Sequence, residues 1–145
     1  MSKGSVIELF MSVKGQENRE NKEQILLDEK GVVGDKFHGK NIERSVLITS
    51  IKSYDLALSK GIEMPFGSLG ENIMIDIDPY ALSSGDKIEI GNVVLEITNN
   101  CTICNGLSKV DSSLPKLLAD DRGIFAKTIQ GGYIRKGDVA NILKY

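Results

Sequence analysis

The chain has 145 residues, 41% of them hydrophobic, which suffices for one compact core but not for two, so a single domain over residues 1–145 is expected. Its 18 basic and 20 acidic residues leave a net charge of −2 and form no basic block, which argues against nucleic acid as a partner. No segment approaches the ~20 apolar residues of a membrane span, and Met1 to Gly15 lack the apolar core of a signal peptide, so a cytoplasmic protein with no membrane partner is expected.

In chain order, apolar runs punctuated by Gly, Asn and Asp predict strands over Ser5–Val13, Gln24–Glu29, Ser45–Thr49, Asn72–Ile77, Lys87–Ile90, Val93–Thr98, Ile124–Gln130 and Val139–Lys144. A helix is expected from Ile51 to Lys60, with Ile51, Tyr54 and Leu58 on one face and Gly61 closing it. Gly91-Asn92 has the two-residue spacing of a tight hairpin turn, where positive φ is needed. Pro115 suits a first helical turn but not an interior, so a short turn near Leu107 and a helix from Leu114 to Asp120 are expected. The class is therefore mainly β with small helices (α+β), arranged as a mixed barrel.

Four segments carry residue types suited to chemistry. Gly31 to Lys40 sets three glycines among Lys36, Lys40, His38 and Asp35 and runs on to Arg44 and Ser45 at a strand start. Such a loop can bring backbone amides and cations to an anion, or can simply be a solvated connection. Phe66 to Asn72 has paired glycines before an apolar strand, where Glu71 or Asn72 can hydrogen-bond a ligand or merely fix the turn. Arg122 precedes a late strand and can clamp an anion or pair with Asp120 or Asp121.

Cys101 and Cys104 form a C-x-x-C at a strand end, and a reducing cytosol would keep both as thiols. The flanking pattern does not supply the βαβ unit of a thioredoxin-like dithiol, and two thiols with His38 fall short of four zinc ligands. A single thiolate that carries sulfur or binds a soft metal remains open, as does an inert buried cysteine.

The chain resembles the MOSC family, named for the C-terminal domain of molybdenum cofactor sulfurases. The resemblance runs in order through Gly34-Asp35-Lys36, Arg44, Gly70-Glu71-Asn72-Ile73, Leu82, Gly85-Asp86, Ile90-Gly91, Cys104, Arg122-Gly123 and Gly137-Asp138. Two positions depart from the usual pattern: Ile103 stands where members often have proline, and Phe37 where they often have histidine.

The resemblance implies a MOSC-type β-barrel that handles a molybdenum-pterin cofactor. Cys104 would be the catalytic residue and metal ligand, binding molybdenum or carrying sulfur as a persulfide. Lys36, Lys40, Arg44, Ser45, Glu71, Asn72 and Arg122 would be the cofactor-binding residues. Implied partners are the cofactor itself or a sulfur donor protein, together with an external reductase if the protein turns over as an oxidoreductase. The lysine-bearing aminotransferase-like domain of the fused sulfurases is missing, so no intrinsic pyridoxal phosphate site is expected. Oxidoreductase, sulfur transferase and non-catalytic sulfur carrier are the activities left open.

Overall fold

A computed structural model describes residues 3–16, 19–100, 117–118 and 122–143. Among these, the strands are β1 (Lys3–Met11), β2 (Glu20–Lys22), β3 (Gln24–Asp28), β4 (Gly31–Val32), β5 (Val46–Ser50), β6 (Ile73–Ile75), β7 (Lys87–Ile90), β8 (Val93–Asn100), β9 (Ile124–Gln130), β10 (Gly132–Arg135) and β11 (Val139–Leu143). One helix, α1 (Ile51–Ser59), and a 3-10 turn at Ile42–Arg44 complete them.

Seven strands close on themselves in the order β11-β7-β8-β9-β5-β6-β1, with β1 pairing back to β11. β2 is appended to β1, and β10, β3 and β4 form a separate three-stranded sheet. The closed sheet is mixed because β5 and β6 run parallel, which requires the crossover that α1 provides. β5 and β6 are buried at every position, as strands covered on both faces are. Closure leaves no barrel strand without a neighbour on each side and encloses a core that includes Val46, Ile48, Ile73, Ile88, Leu95, Ile97 and Ile124. A second cluster beneath α1 joins Phe10, Tyr54, Ala57, Leu69 and Met74.

The spans of β7 and β9 are those expected from sequence, and the other expected strands are present with ends shifted by a few residues. β6 is shorter than expected at both ends. At its start, Asn72 turns its amide to other work, and at its end the Asp76 carboxylate accepts from the Ser5 amide at 2.7 Å. β2, β4 and β10 were not expected. β2 is wholly polar, β4 has two residues, and β10 begins inside a Gly-Gly pair that reads locally as a turn.

On α1 the buried face is Ser53, Tyr54 and Ala57, whereas Leu58 is 58% exposed, so the helix is rotated from its expected orientation toward its small residues. Ser50 caps it by accepting from the Lys52 amide, and Gly61 follows it in the left-handed region at φ +77. The turn near Leu107 and the helix from Leu114 to Asp120 lie, apart from Leu117 and Leu118, outside the described residues.

The β7–β8 hairpin pairs Ile90 with Val93 across Gly91-Asn92, as expected. Gly91 has φ +57 and no described non-glycine residue has positive φ, which is the pattern of a II′ turn. A Cβ at Gly91 would also stand 3.0 Å from the Asp138 carboxylate. Gly91→Ala is therefore expected to cost about 1–2 kcal/mol. A thermal melt should show the midpoint falling by about 2–4 °C for each kcal/mol lost.

Candidate functional site

Side chains from five stretches of sequence meet at one cavity of about 400 Å³, within the usual ~300–1,000 Å³ range of small-molecule sites. The first stretch is the loop after β4. Gly34, at φ +91, turns the chain so that Asp35 points inward, where its carboxylate accepts from the amides of Ser12 and Phe37, each at 2.9 Å. Asn72 Nδ2 donates to the same carboxylate at 3.1 Å. The loop is tied again by the Lys36 amide to Ser12 O at 2.8 Å and by the Gly39 amide to Lys30 O at 2.9 Å. Phe37 and Lys40 are thereby held on the cavity wall.

The second stretch is the 3-10 turn, capped by the Asn41 side chain, which accepts from the Glu43 amide. Ser45 Oγ donates to Ile42 O at 2.8 Å and fixes the way the turn enters β5. The Arg44 guanidinium lies over the Phe125 ring, 4.6 Å from its centroid, an arrangement that steadies an exposed cation without neutralising it. β5 and β9 pair in register, Val46 opposite Ala126 and Ile48 opposite Ile124. That register sets Ser45 and Leu47 beside Arg122 and Phe125 on the lining.

The third stretch, Leu69 to Asn72, contributes the floor. Asn72 Oδ1 accepts from the Leu47 amide at 3.1 Å while its Nδ2 donates to Asp35 and to Phe10 O. Its amide thus knits β1, β5 and the loop together at the cavity edge. Glu71, its neighbour, points away from the cavity and is fully buried. Its Oε2 accepts from Thr49 Oγ1 at 2.8 Å and from the Tyr54 hydroxyl, and its Oε1 has no partner. Burial pushes the Glu71 carboxyl above the ordinary carboxylate range, and pushes the Tyr54 hydroxyl upward as well.

The fourth contribution is Arg122, which lines the cavity while only 6% exposed, and whose Nε has no hydrogen-bond partner among the described residues. A buried guanidinium with an unpaired N–H bears a desolvation cost and keeps its positive charge at the cavity wall. Arg19, just before β2, is a further cation on the lining. Its Nη1 donates to Glu71 O at 3.3 Å and stands 3.8 Å from Asp35 Oδ2, and burial lowers its pKa against the pull of Asp35 and Glu71.

Five of the sequence-expected residues, Lys40, Arg44, Ser45, Asn72 and Arg122, therefore meet at the cavity. Lys36 and Glu71 do not line it. The Lys36 ammonium lies 5.1 Å from the centroid of Phe37, whereas Glu71 serves the cluster beneath α1. His38, one residue beyond Phe37, bonds Asp28 at 2.8 Å and is likewise off the lining. Cys101 and Cys104 lie outside the described residues. Sequence reasoning missed Arg19, Asn41, Phe37 and Phe125 as wall residues. Only a charged residue beside a short polar strand signalled the first, and that signal is common on protein surfaces.

Among the described residues the lining carries four cations, Arg19, Lys40, Arg44 and Arg122, against one carboxylate, Asp35, in a chain whose net charge is −2. Phe37, Phe125, Leu47 and Leu69 supply apolar wall. The arrangement suits an anionic ligand with a flat or apolar part. Among the described residues no group of three His, Cys, Asp or Glu side chains could hold a metal, and no helix is long and apolar enough to cross a membrane.

The fold is similar to that of the YuaD protein from Bacillus subtilis, with TM-score 0.86 at 17% identity over 99% of this chain and 97% of that one. It is also similar to YiiM from Escherichia coli, with TM-score 0.72 at 16% identity, covering 100% of this chain and 71% of that one. YiiM from Geobacillus stearothermophilus gives TM-score 0.70 at 12% identity, covering 97% and 73%. No curated protein matches the sequence. The MOSC domain family model matches residues 34–141, well over half of the chain, and that span holds every expected site residue as well as the barrel strands β5 to β9. The chain belongs to the MOSC domain family.

Proposed function

We propose that the cavity binds the phosphate-bearing, anionic part of a molybdenum-pterin cofactor and that Cys104 supplies the thiolate for its metal. The observation that carries this reading is that Arg122 lies buried on a wall shared with three other cations, its Nε unpaired among the described residues. The donor set fits such a group: Lys40, Arg44 and Arg122 would neutralise the phosphate, and Phe37 and Phe125 offer apolar faces to a ring. When bound, the cofactor supplies oxygen-atom or sulfur chemistry at its metal. The protein's own groups bind and orient: Asp35 and Asn72 hold the loop, and the Phe125 ring holds Arg44. Cys104 stands four residues beyond Asn100, whose strand partner is Ile124, two residues past Arg122. A cytoplasmic setting, a sulfur donor protein and, for redox turnover, an external reductase belong to the same proposal.

The test is expression in a host that makes the cofactor, followed by metal analysis and pterin fluorescence of the purified protein. Wild type should retain molybdenum and pterin. Replacing the exposed pair Lys40 and Arg44 with alanine should reduce retention more than tenfold, because charge-assisted hydrogen bonds contribute about 1.5–3 kcal/mol each. Cys104→Ser should lose molybdenum, and Cys101→Ser should lose less. Wild type that carries persulfide on Cys104 but neither molybdenum nor pterin would overturn cofactor binding in favour of a sulfur carrier.

A further inference from the structure

The Arg19 side chain, 16% exposed, makes only long contacts with described residues, and both come from one nitrogen: Nη1 lies 3.3 Å from Glu71 O and 3.8 Å from Asp35 Oδ2. Asp35 does not depend on it, because three donors at 2.9, 2.9 and 3.1 Å already satisfy that carboxylate. The other edge of the guanidinium, Nε with Nη2, has no hydrogen bond to a described residue. Gly70 also lines the cavity, at φ +81, and a Cβ there would stand 3.9 Å from both Nε and Nη2. The glycine therefore leaves open the space against the edge whose two parallel N–H groups match two oxygens of one anion. A guanidinium already withdrawn from water gives up little hydration when an anion arrives, and attracts it in a medium of lower dielectric.

We propose that Arg19 is a second anion-binding residue of this cavity, taking a two-oxygen anionic group on its Nε–Nη2 edge, so that the site prefers ligands carrying two anionic groups. This rests on the reading of the cavity as an anion site, with Arg122 and Arg44 holding the first group. A purely structural arginine would anchor Asp35 and leave ligand preference untouched.

The experiment titrates inorganic phosphate and a series of alkane bisphosphonates with one to four methylenes into the full chain by calorimetry at low salt. At least one bisphosphonate should bind wild type about tenfold or more tighter than phosphate. Arg19→Gln should abolish that preference by weakening the bisphosphonate far more than phosphate, and Arg19→Lys, which keeps the charge but lacks the fork, should also lose it. The lysine variant decides the matter if the glutamine variant does not fold. A preference that survives in these variants, or that wild type never shows, overturns the role of Arg19; Arg122→Gln weakening phosphate would then leave the cavity reading standing. Wild type that binds no member of the set overturns both.

Discussion

Arg122→Met is expected to lower affinity for phosphate more than tenfold and yet leave the protein as stable as wild type or more so. The two effects have one origin. The arginine is 6% exposed and its Nε has no acceptor among the described residues, so the folded protein bears the cost of a buried, partly unsatisfied cation. Methionine keeps much of the side chain's length and flexibility without the charge, and removing an unpaired buried donor recovers about 1–3 kcal/mol. For a chain of this size that corresponds to a midpoint rise of about 2–4 °C per kcal/mol. Binding should move the other way, since the cavity wall loses one of its cations. Rising salt should weaken wild-type binding in the same direction. Calorimetry with phosphate and a thermal melt on the same samples check both effects. A variant that melts well below wild type while binding phosphate normally would make Arg122 a structural residue.

The second large effect lies on Glu71 and is read in the pH dependence of stability. The carboxyl is fully buried, Thr49 and Tyr54 both donate to Oε2, and Oε1 has no hydrogen-bond partner among the described residues. Burial raises its pKa above the ordinary carboxylate value of 4.5, against the opposing pull of the Tyr54 and Thr49 hydrogen bonds and the Arg19 charge. Above pH 4.5 the unfolded chain releases the Glu71 proton while the folded chain keeps it. The folded state therefore binds more protons, and stability must fall as pH rises from 4.5 through the folded pKa. One proton allows a slope of up to about 1.4 kcal/mol per pH unit.

Other carboxylates do not mask the effect. Glu8 and Asp78, held below their usual range by Asn21 and Lys136 and by Lys52, contribute stability that is present above the ordinary carboxylate range and lost only as pH falls below it. Denaturant midpoints measured from pH 5 to 8 should decline in wild type and run flat in Glu71→Gln, which presents a carbonyl to the same two hydroxyls without a titrating group. Tyr54→Phe should cost about 1–3 kcal/mol at any pH in this range, because the Gly67 amide loses the acceptor it has at 3.1 Å and Glu71 loses a donor. A flat wild-type profile would show that Glu71 stays ionised within the fold.

The sequence by itself determined the elements whose signal is local. β7 alternates polar and apolar residues at the period of a strand, β8 and β9 open on short apolar runs, and Gly91 supplies the backbone conformation that a two-residue hairpin needs, so both pattern and turn chemistry are readable locally. The ordered anchors from Gly34 to Gly137 pointed to the family for the same reason: each is readable where it stands. Only the tertiary structure decided which polar residues face the cavity and which face the core. Glu71 and Asn72 are adjacent, and successive side chains along extended backbone point to opposite sides. One therefore enters the cluster beneath α1, and the other ties β1 and β5 at the cavity edge. Barrel closure, with β1 pairing to β11 at one side and to β6 at the other, brings Arg19 to the wall that Arg44 and Arg122 reach through the β5–β9 register. No periodicity encodes that meeting, because pairing between strands far apart in sequence is fixed by the closure of the whole sheet rather than by the residues near any one of them.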